Sequence, residues 1–406
     1  MKTISFIHAA DLHLDSPMVG LSYLPKEIFE RLKESTFTAL SKVVDAAIHH
    51  EVDFVILAGD LFDEQDRSIR AQTRLRKEMD RLKAAGIEAF VVHGNHDHLN
   101  GDWVHIEMPD NVHIFPDYVD VKSYRKHNTL VHLYGFSYPT RHLEDNQLFQ
   151  YRKKEGADFH IGILHGHYEG NSEHSRYASF TTTELLDKKF DYWALGHIHK
   201  RQIIHNSPYI SYPGNIQGRN RKEVGEKGCY LVKMSDVETD MEFIKTADII
   251  WDELDIDCSN VKTFQDLYIL VQKMMEEKRT LGHGRLLSIS LSNLRLNDKE
   301  WMNVKNGDIL QALQDEEKSE DSFVWPITIT TRQAIEWDRN TLKSESAFYK
   351  EMFQTADQFE IISQSMKPLY DHPVAAKFLD PLSDEEKQEI QQEALDILVT
   401  LLKKGG

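Results

Sequence analysis

Cysteine is nearly absent from this chain. Cys229 and Cys258 are too few for a disulfide framework, which points to a reducing compartment. No apolar run is long enough to span a bilayer. The first such run stops at Asp11 with only Lys2 ahead of it, which is not the pattern of a secretory leader. A cytoplasmic protein is the expectation left by elimination. Positive charge is also short: 48 Lys and Arg face 66 Asp and Glu, a net charge of −18. At first sight that sign excludes nucleic acid, whose phosphates are bound by Lys and Arg. The deficit is uneven, however. Residues 246–406 hold 18 basic against 30 acidic side chains, and residues 1–245 hold 30 against 36. Two bound divalent ions would offset much of the N-terminal excess. There is no internal repeat, Gly/Ser linker or low-complexity tract to mark a boundary.

What is present is an ordinary globular chain of 406 residues, enough for two or three domains. Short apolar runs read as buried strands at 4–10, 54–58 and 89–92, with later strands at 130–136, 159–164, 192–195 and 229–234. Between them, helical spacing covers 26–50 and 67–85, so the pattern is strand–helix–strand and the class is α/β. The character changes after about Thr246. A small α+β unit follows, with helices at 264–278 and 309–313, strands at 287–291 and 324–330, and an acidic loop at 315–321. From Thr331 the chain looks helical, with breaks at Pro368, Pro373 and Pro381. The expected domains are therefore 1–245, 246–330 and 331–406.

Chemistry gathers at the strand ends, where open α/β sheets build their sites. Asp11 and His13, Asp60, Asn95 and His96, His165, and His197 and His199 stand at five successive ones. Carboxylates and imidazoles without thiolate suit manganese, iron or zinc. Two such ions about 3.5–4 Å apart clamp both oxygens of an in-line displacement. One carboxylate must then bridge them, and Asp60 is the natural choice. A water shared by the two metals becomes the hydroxide nucleophile, which leaves His96 free to act on the phosphate or the leaving oxygen.

The sequence Asp11-x-His13, Gly59-Asp60-Leu61-Phe62-Asp63, Gly94-Asn95-His96-Asp97, His165 and Gly196-His197-x-His199 resembles the five motifs of calcineurin-like metallophosphoesterases. Within them it is most similar to the SbcD-type DNA repair exonucleases, relatives of the meiotic-recombination-eleven nuclease. His8 to Leu14, and Pro213-Gly214-Asn215 through Glu226-Lys227-Gly228, carry that part of the likeness. The resemblance covers about residues 1–245. It implies a four-layer α/β/β/α sandwich, a small α+β capping domain and a helical C-terminal region. It implies two divalent metal ions, taken as Mn2+, one on Asp11, His13, Asp60 and His199 and the other on Asp60, Asn95, His165 and His197. It makes His96 the catalytic histidine and Asp97 its orienting partner. His167 is a rival to His165, which follows its strand directly. Asp63 stands where many nuclease relatives have His, so the exonuclease–endonuclease balance is open. Asp63-Glu64-Gln65 and Asp97 depart from protein phosphatases, and no Tyr ligand of the purple acid type is present near position 63.

Arg67, Arg70, Arg74, Lys77 and Arg81 recur at helical steps, and Arg219, Arg221 and Lys222 follow the last motif. They are candidate DNA contacts or merely solvated cations. Ser383 and Glu386 read as a capping box for a helix over 383–404, with Ile390, Ala394, Ile397, Leu398, Leu401 and Leu402 as its apolar face. The resemblance implies that such a helix docks an SMC-like ATPase of the SbcC type. It also implies a homodimer, for which the helices at 26–50 and 67–85 are candidates. The expected function is a metal-dependent DNA repair nuclease. The alternatives are a phosphodiesterase or phosphatase for small nucleotides, and a metal-stabilised scaffold for an ATPase partner.

Overall fold

The structure is a computed structural model that describes residues 2–63, 67–101, 103–143, 147–168, 178–332, 339–356 and 360–370, with scattered positions between 372 and 402. In chain order the first elements are β1 (Thr3–Ala9), α1 (Lys26–His49), β2 (Phe54–Ala58), α2 (Ile69–Ala84), β3 (Glu88–Val92) and β4 (Val112–Ile114). Then come β5 (Asp120–Lys126), β6 (Thr129–Gly135), β7 (Phe159–His165), α3 (Thr182–Asp187) and β8 (Tyr192–Gly196). They are followed by β9 (Gln202–Asn206), β10 (Tyr209–Tyr212), β11 (Gly228–Ser235), β12 (Thr239–Lys245) and β13 (Ile249–Asp257). The rest are α4 (Phe264–Lys278), β14 (Gly284–Ser292), α5 (Asp298–Lys305), α6 (Asp308–Glu316), β15 (Val324–Arg332), α7 (Arg339–Glu345), α8 (Ala347–Ala356) and α9 (Glu360–Tyr370).

Two six-stranded sheets have the orders β12-β11-β1-β2-β3-β4 and β5-β6-β7-β8-β10-β9. Their centres are parallel, β1-β2-β3-β4 in one and β6-β7-β8-β10 in the other, with antiparallel strands at the margins. Alternation along each strand builds the layers. Phe6, Phe54, Ile56 and Phe90 meet Val131, Ile161, Ile163, Tyr192 and Ala194 between the sheets. Ile7, Val55, Leu57 and Val91 turn the other way, onto Leu40, Val43, Leu75 and Met79 of α1 and α2. Trp193 and Leu195 face outward onto Leu148, Phe180, Leu185 and Phe190. This is the expected four-layer α/β/β/α sandwich.

A buried polar link joins the sheets at His8. His8 Nε2 donates to the Leu195 carbonyl at 3.0 Å, so its Nδ1 accepts from the Tyr192 hydroxyl at 3.0 Å, which in turn lies 3.1 Å from Ser211 Oγ. Burial disfavours charge on this ring and lowers its pKa to about 3, although the Leu195 carbonyl pulls the other way.

The chain divides into two compact units. One comprises Met1–Leu254, Tyr268–Ile289 and Asn306–Thr330, and contains every residue of the metal centre described below. The other comprises Asp255–Leu267, Ser290–Lys305 and Thr331–Gly406. In the latter, Leu342 and Phe353 bury against Leu395 and Val399. The C-terminal apolar face therefore differs from the expected one, since Leu398 is exposed while Leu395 and Val399 are buried. The capping box at Ser383 and Glu386, with Ile397 and Leu401, lies outside the described residues, as do Pro373 and Pro381. Pro368 does not break the chain but sits inside α9 near its end. A third sheet has the order β13-β14-β15. Among the described residues no helix is long and apolar enough to cross a membrane.

Candidate metal centre

The first two parallel strands keep pairing after they end. Asp11 N donates to Gly59 O at 3.0 Å, His13 N to Asp60 O at 3.0 Å and Leu14 N to Leu61 O at 2.9 Å. The two loops therefore leave the sheet together, carrying Asp11, His13 and Asp60 side by side. The turns are tight enough to force left-handed backbone at four polar residues: Asp11 (φ 52°), His13 (φ 41°), Asp60 (φ 50°) and His197 (φ 102°). Such conformations cost of order 1–3 kcal/mol each and gather where a site needs them. Two glycines leave room for the side chains. A Cβ at Gly59 would overlap the His165 ring, and one at Gly94 would overlap Asp60 Oδ1 and His165 Nε2.

Two groups of ligand atoms result. In the first, Asp11, His13, Asp60 and His199 bring one donor atom each within 4.8 Å of all the others. His13 Nε2 and His199 Nε2 are 3.1 Å apart. The second consists of Asp60, His165 and His197. The amide oxygen of Asn95 joins it, 3.1 Å from His165 Nε2 and 3.2 Å from His197 Nδ1. Asp60 is common to both, with Oδ2 at 3.3 Å from His165 Nε2 and 3.8 Å from His13 Nε2. A carboxylate-rich, imidazole-rich, thiol-free donor set fits two divalent cations. The charge balance fits as well. Burial opposes charge on His165, yet the Asp60 and Asp11 carboxylates push its pKa up to about 9, so the pocket attracts a positive charge. His197, partly buried beside His165, is held neutral by desolvation and by that neighbour, with a pKa of about 3.

The outer nitrogens of three ligand histidines are engaged, which fixes the inner ones as metal-facing. His165 Nδ1 donates to Ala58 O at 2.9 Å. His13 Nδ1 is 2.6 Å from Asp63 Oδ1, and His199 Nδ1 is 2.7 Å from Glu223 Oε1. Burial alone would raise the pKa of Asp63 and of Glu223. The partner histidines and Arg219 instead hold both well below the usual carboxylate range. A third cluster, His13, Asp63 and His96, also falls within metal-ligand spacing. There Asp63 already carries the guanidinium of Arg219, at 2.9 and 3.1 Å, where a further cation would meet like charge.

His96 stands at the rim of the centre. Its side chain is 34% exposed, its backbone N–H donates to Asp60 Oδ1 at 2.9 Å, and its ring Nδ1 lies 3.9 Å from Asp63 Oδ1. Asp97 is not its partner. That carboxylate is fully buried and takes His93 Nδ1 at 2.8 Å, Gly94 N at 2.6 Å and Leu61 N at 2.9 Å, so it staples the Asp60 loop to the Asn95 loop. His167 is beside the second group rather than in it, its ring centroid 6.0 Å from that of His197.

The cations singled out along α2 do not form a free basic face. Glu34 and Asp45 of α1 pair with Arg70, Arg74 and Arg81, while Asp15, from the loop before α1, adds to Arg70 and Glu78 of α2 itself adds to Arg81. Arg67 is stacked between Phe62 and Trp103, 5.2 and 5.1 Å from their ring centroids. Arg219 turns inward onto Asp63, whereas Lys77, Arg221 and Lys222 are exposed. Glu223 and the true roles of Arg219 and His93 escaped the sequence reading. Arg219 and Glu223 reach the site from a loop outside the strand ends, with no spacing to betray them, and His93, although it follows β3 directly, is tied to Asp97 only by the fold.

A strand-end centre of this composition between two α-flanked sheets defines a metal-dependent phosphoester hydrolase. Residues 4–201 match the calcineurin-like phosphoesterase family. The chain is 41% identical over 410 residues to the uncharacterized metallophosphoesterase YhaO of Bacillus subtilis (strain 168), and the match covers 99% of each. It belongs to the calcineurin-like phosphoesterase family. More distant similarity runs to proteins described as DNA double-strand break repair protein Mre11. That of Saccharolobus solfataricus is 26% identical over 72% of this chain and 76% of its own length. That of Sulfolobus acidocaldarius is 27% identical over 77% and 80%.

Proposed function

We propose that this metallophosphoesterase is a DNA phosphodiesterase, a repair nuclease of the SbcD type that uses Mn2+. The reading rests chiefly on one observation: two ligand groups share Asp60, with His96 left outside both at an open rim. Similarity to proteins named for double-strand break repair supports DNA as the substrate. Divalent ions in this centre supply Lewis acidity and lower the pKa of bound water. Asp11, His13, Asp60 and His199 would hold one, and Asp60, Asn95, His165 and His197 the other. His96 contacts the phosphate and gives its ring proton to the leaving oxygen. The amide of His96, bonded to Asp60, keeps the histidine in register with the shared carboxylate. An ATPase of the SbcC type and a second copy of the chain are part of the same proposal.

A small nucleotide is the rival substrate, favoured by the net charge of −18 and by the ion pairs that occupy Arg70 and Arg74. End-labelled duplex and single-stranded DNA, incubated with the chain and Mn2+, separate the two. Mononucleotide release that vanishes in Asp60→Ala supports the nuclease. Cleavage of a chromogenic diester with DNA left intact, even after the ATPase is added, favours the small nucleotide.

A further inference from the structure

One part-buried chain of contacts reaches both histidines of the first ligand group from outside. Arg219 Nη1 donates to both oxygens of Asp63, at 2.9 and 3.1 Å, and Asp63 Oδ1 is 2.6 Å from His13 Nδ1. Arg219 Nη2 lies 3.6 Å from Glu223 Oε1, while the backbone N–H of Arg219 and Asn215 Nδ2 donate to Glu223 Oε2 at 2.7 and 2.8 Å. The other oxygen of Glu223 is 2.7 Å from His199 Nδ1. The three charged side chains are 16%, 14% and 10% exposed for Arg219, Asp63 and Glu223, so solvent screens their contacts little.

We propose that Arg219 is a positioning residue that, through Asp63 and Glu223, sets the tautomer and aim of His13 and His199 and so creates the first metal site. A carboxylate only accepts hydrogen bonds. Both Nδ1 atoms must therefore carry the hydrogen, and both Nε2 lone pairs face inward, 3.1 Å apart. Two lone pairs that close repel unless a cation stands between them. Arg219 has a second effect. By occupying both oxygens of Asp63 it keeps that carboxylate a hydrogen-bond acceptor for His13 and out of the ligand set. The second site is spared, because His165 takes its orientation from the Ala58 carbonyl.

The inference rests on the two-metal reading but not on DNA as the substrate. Calorimetric titration of the full chain with Mn2+ alone tests it. Wild type is expected to bind two ions. Arg219→Gln and Glu223→Gln should weaken one of the two by about 10–100-fold and leave the other unchanged. Arg219→Lys, which keeps the charge but not the fork, should weaken the same ion while matching the wild-type unfolding midpoint. Should Arg219→Gln fail to fold, Asp63→Asn takes its place, since it preserves shape while removing the charge and turning one acceptor oxygen into a donor. Wild-type affinity at both sites in these variants would overturn the proposal, as would equal weakening of both sites. A wild-type chain that binds no Mn2+ would instead overturn the metal reading beneath it.

Discussion

The carboxylate of Asp97 lies 2.8 Å from His93 Nδ1 and is held there by the amides of Gly94 and Leu61. It is thus committed to the scaffold, although it is adjacent in sequence to the histidine at the rim. Its removal strips a buried imidazole and two buried N–H groups of their acceptor. Asp97→Ala should cost about 3–5 kcal/mol, the range for breaking one side of a buried pair. Urea unfolding checks this. An unchanged midpoint with lost activity would instead return Asp97 to the role of orienting His96.

His96 belongs to neither group that shares Asp60. His96→Ala should leave Mn2+ affinity intact and lower turnover by about 10²–10⁴-fold, the usual worth of a general acid. Parallel titration and rate measurement decide the point. Loss of both ions in that variant would make His96 a ligand.

Gly94 lies so close to Asp60 and His165 that no side chain fits. Gly94→Ala should weaken binding of both ions, because Asp60 is shared, and with it abolish hydrolysis. Gly86 (φ +74°) faces open space. Gly86→Ala should cost only the left-handed backbone penalty, about 1–2 kcal/mol, with activity retained. Equal loss of activity in both variants would show that the crowding around Gly94 has no special effect.

His8 gives a pH signature in stability. Its pKa falls from 6.5 to about 3 on folding. Below 6.5 the unfolded chain takes up a proton that the folded chain refuses, so stability declines as pH drops through the window from 6.5 to about 3. His8→Gln, which can still donate to the Leu195 carbonyl, should be less stable at neutral pH but lose less on acidification. Urea midpoints at about pH 7.5 and about pH 5 test the slope. An unaltered slope would assign the acid sensitivity elsewhere.

The central strands were legible because both of their faces are buried, so β2 and β3 read as unbroken apolar runs. The marginal strands β4, β5, β9 and β12 were missed. They are half exposed, and sequences such as Asp120–Lys126 mix charge into the alternation. α2 starts two residues later than its periodicity suggests, because Ser68 caps it by accepting from Ala71 N. At the site, polar residues at successive strand ends announced themselves. Their outer partners did not, since Asp63, Arg219 and Glu223 meet only through the folded chain. The ion pairing of the arginines on α2 was hidden for a similar reason: Glu34 and Asp45 are far away in sequence and adjacent in space.

The left-handed backbone under Asp11, His13, Asp60 and His197 carries a cost for anyone seeking a tougher enzyme. Glycine or asparagine at those four positions would relax the backbone. Each such exchange would also remove a carboxylate or imidazole from the metal centre. The backbone strain thus coincides with the positions where change is least affordable. Improvement has to come from parts of the molecule that never approach the ions, where durability and turnover can be tuned independently.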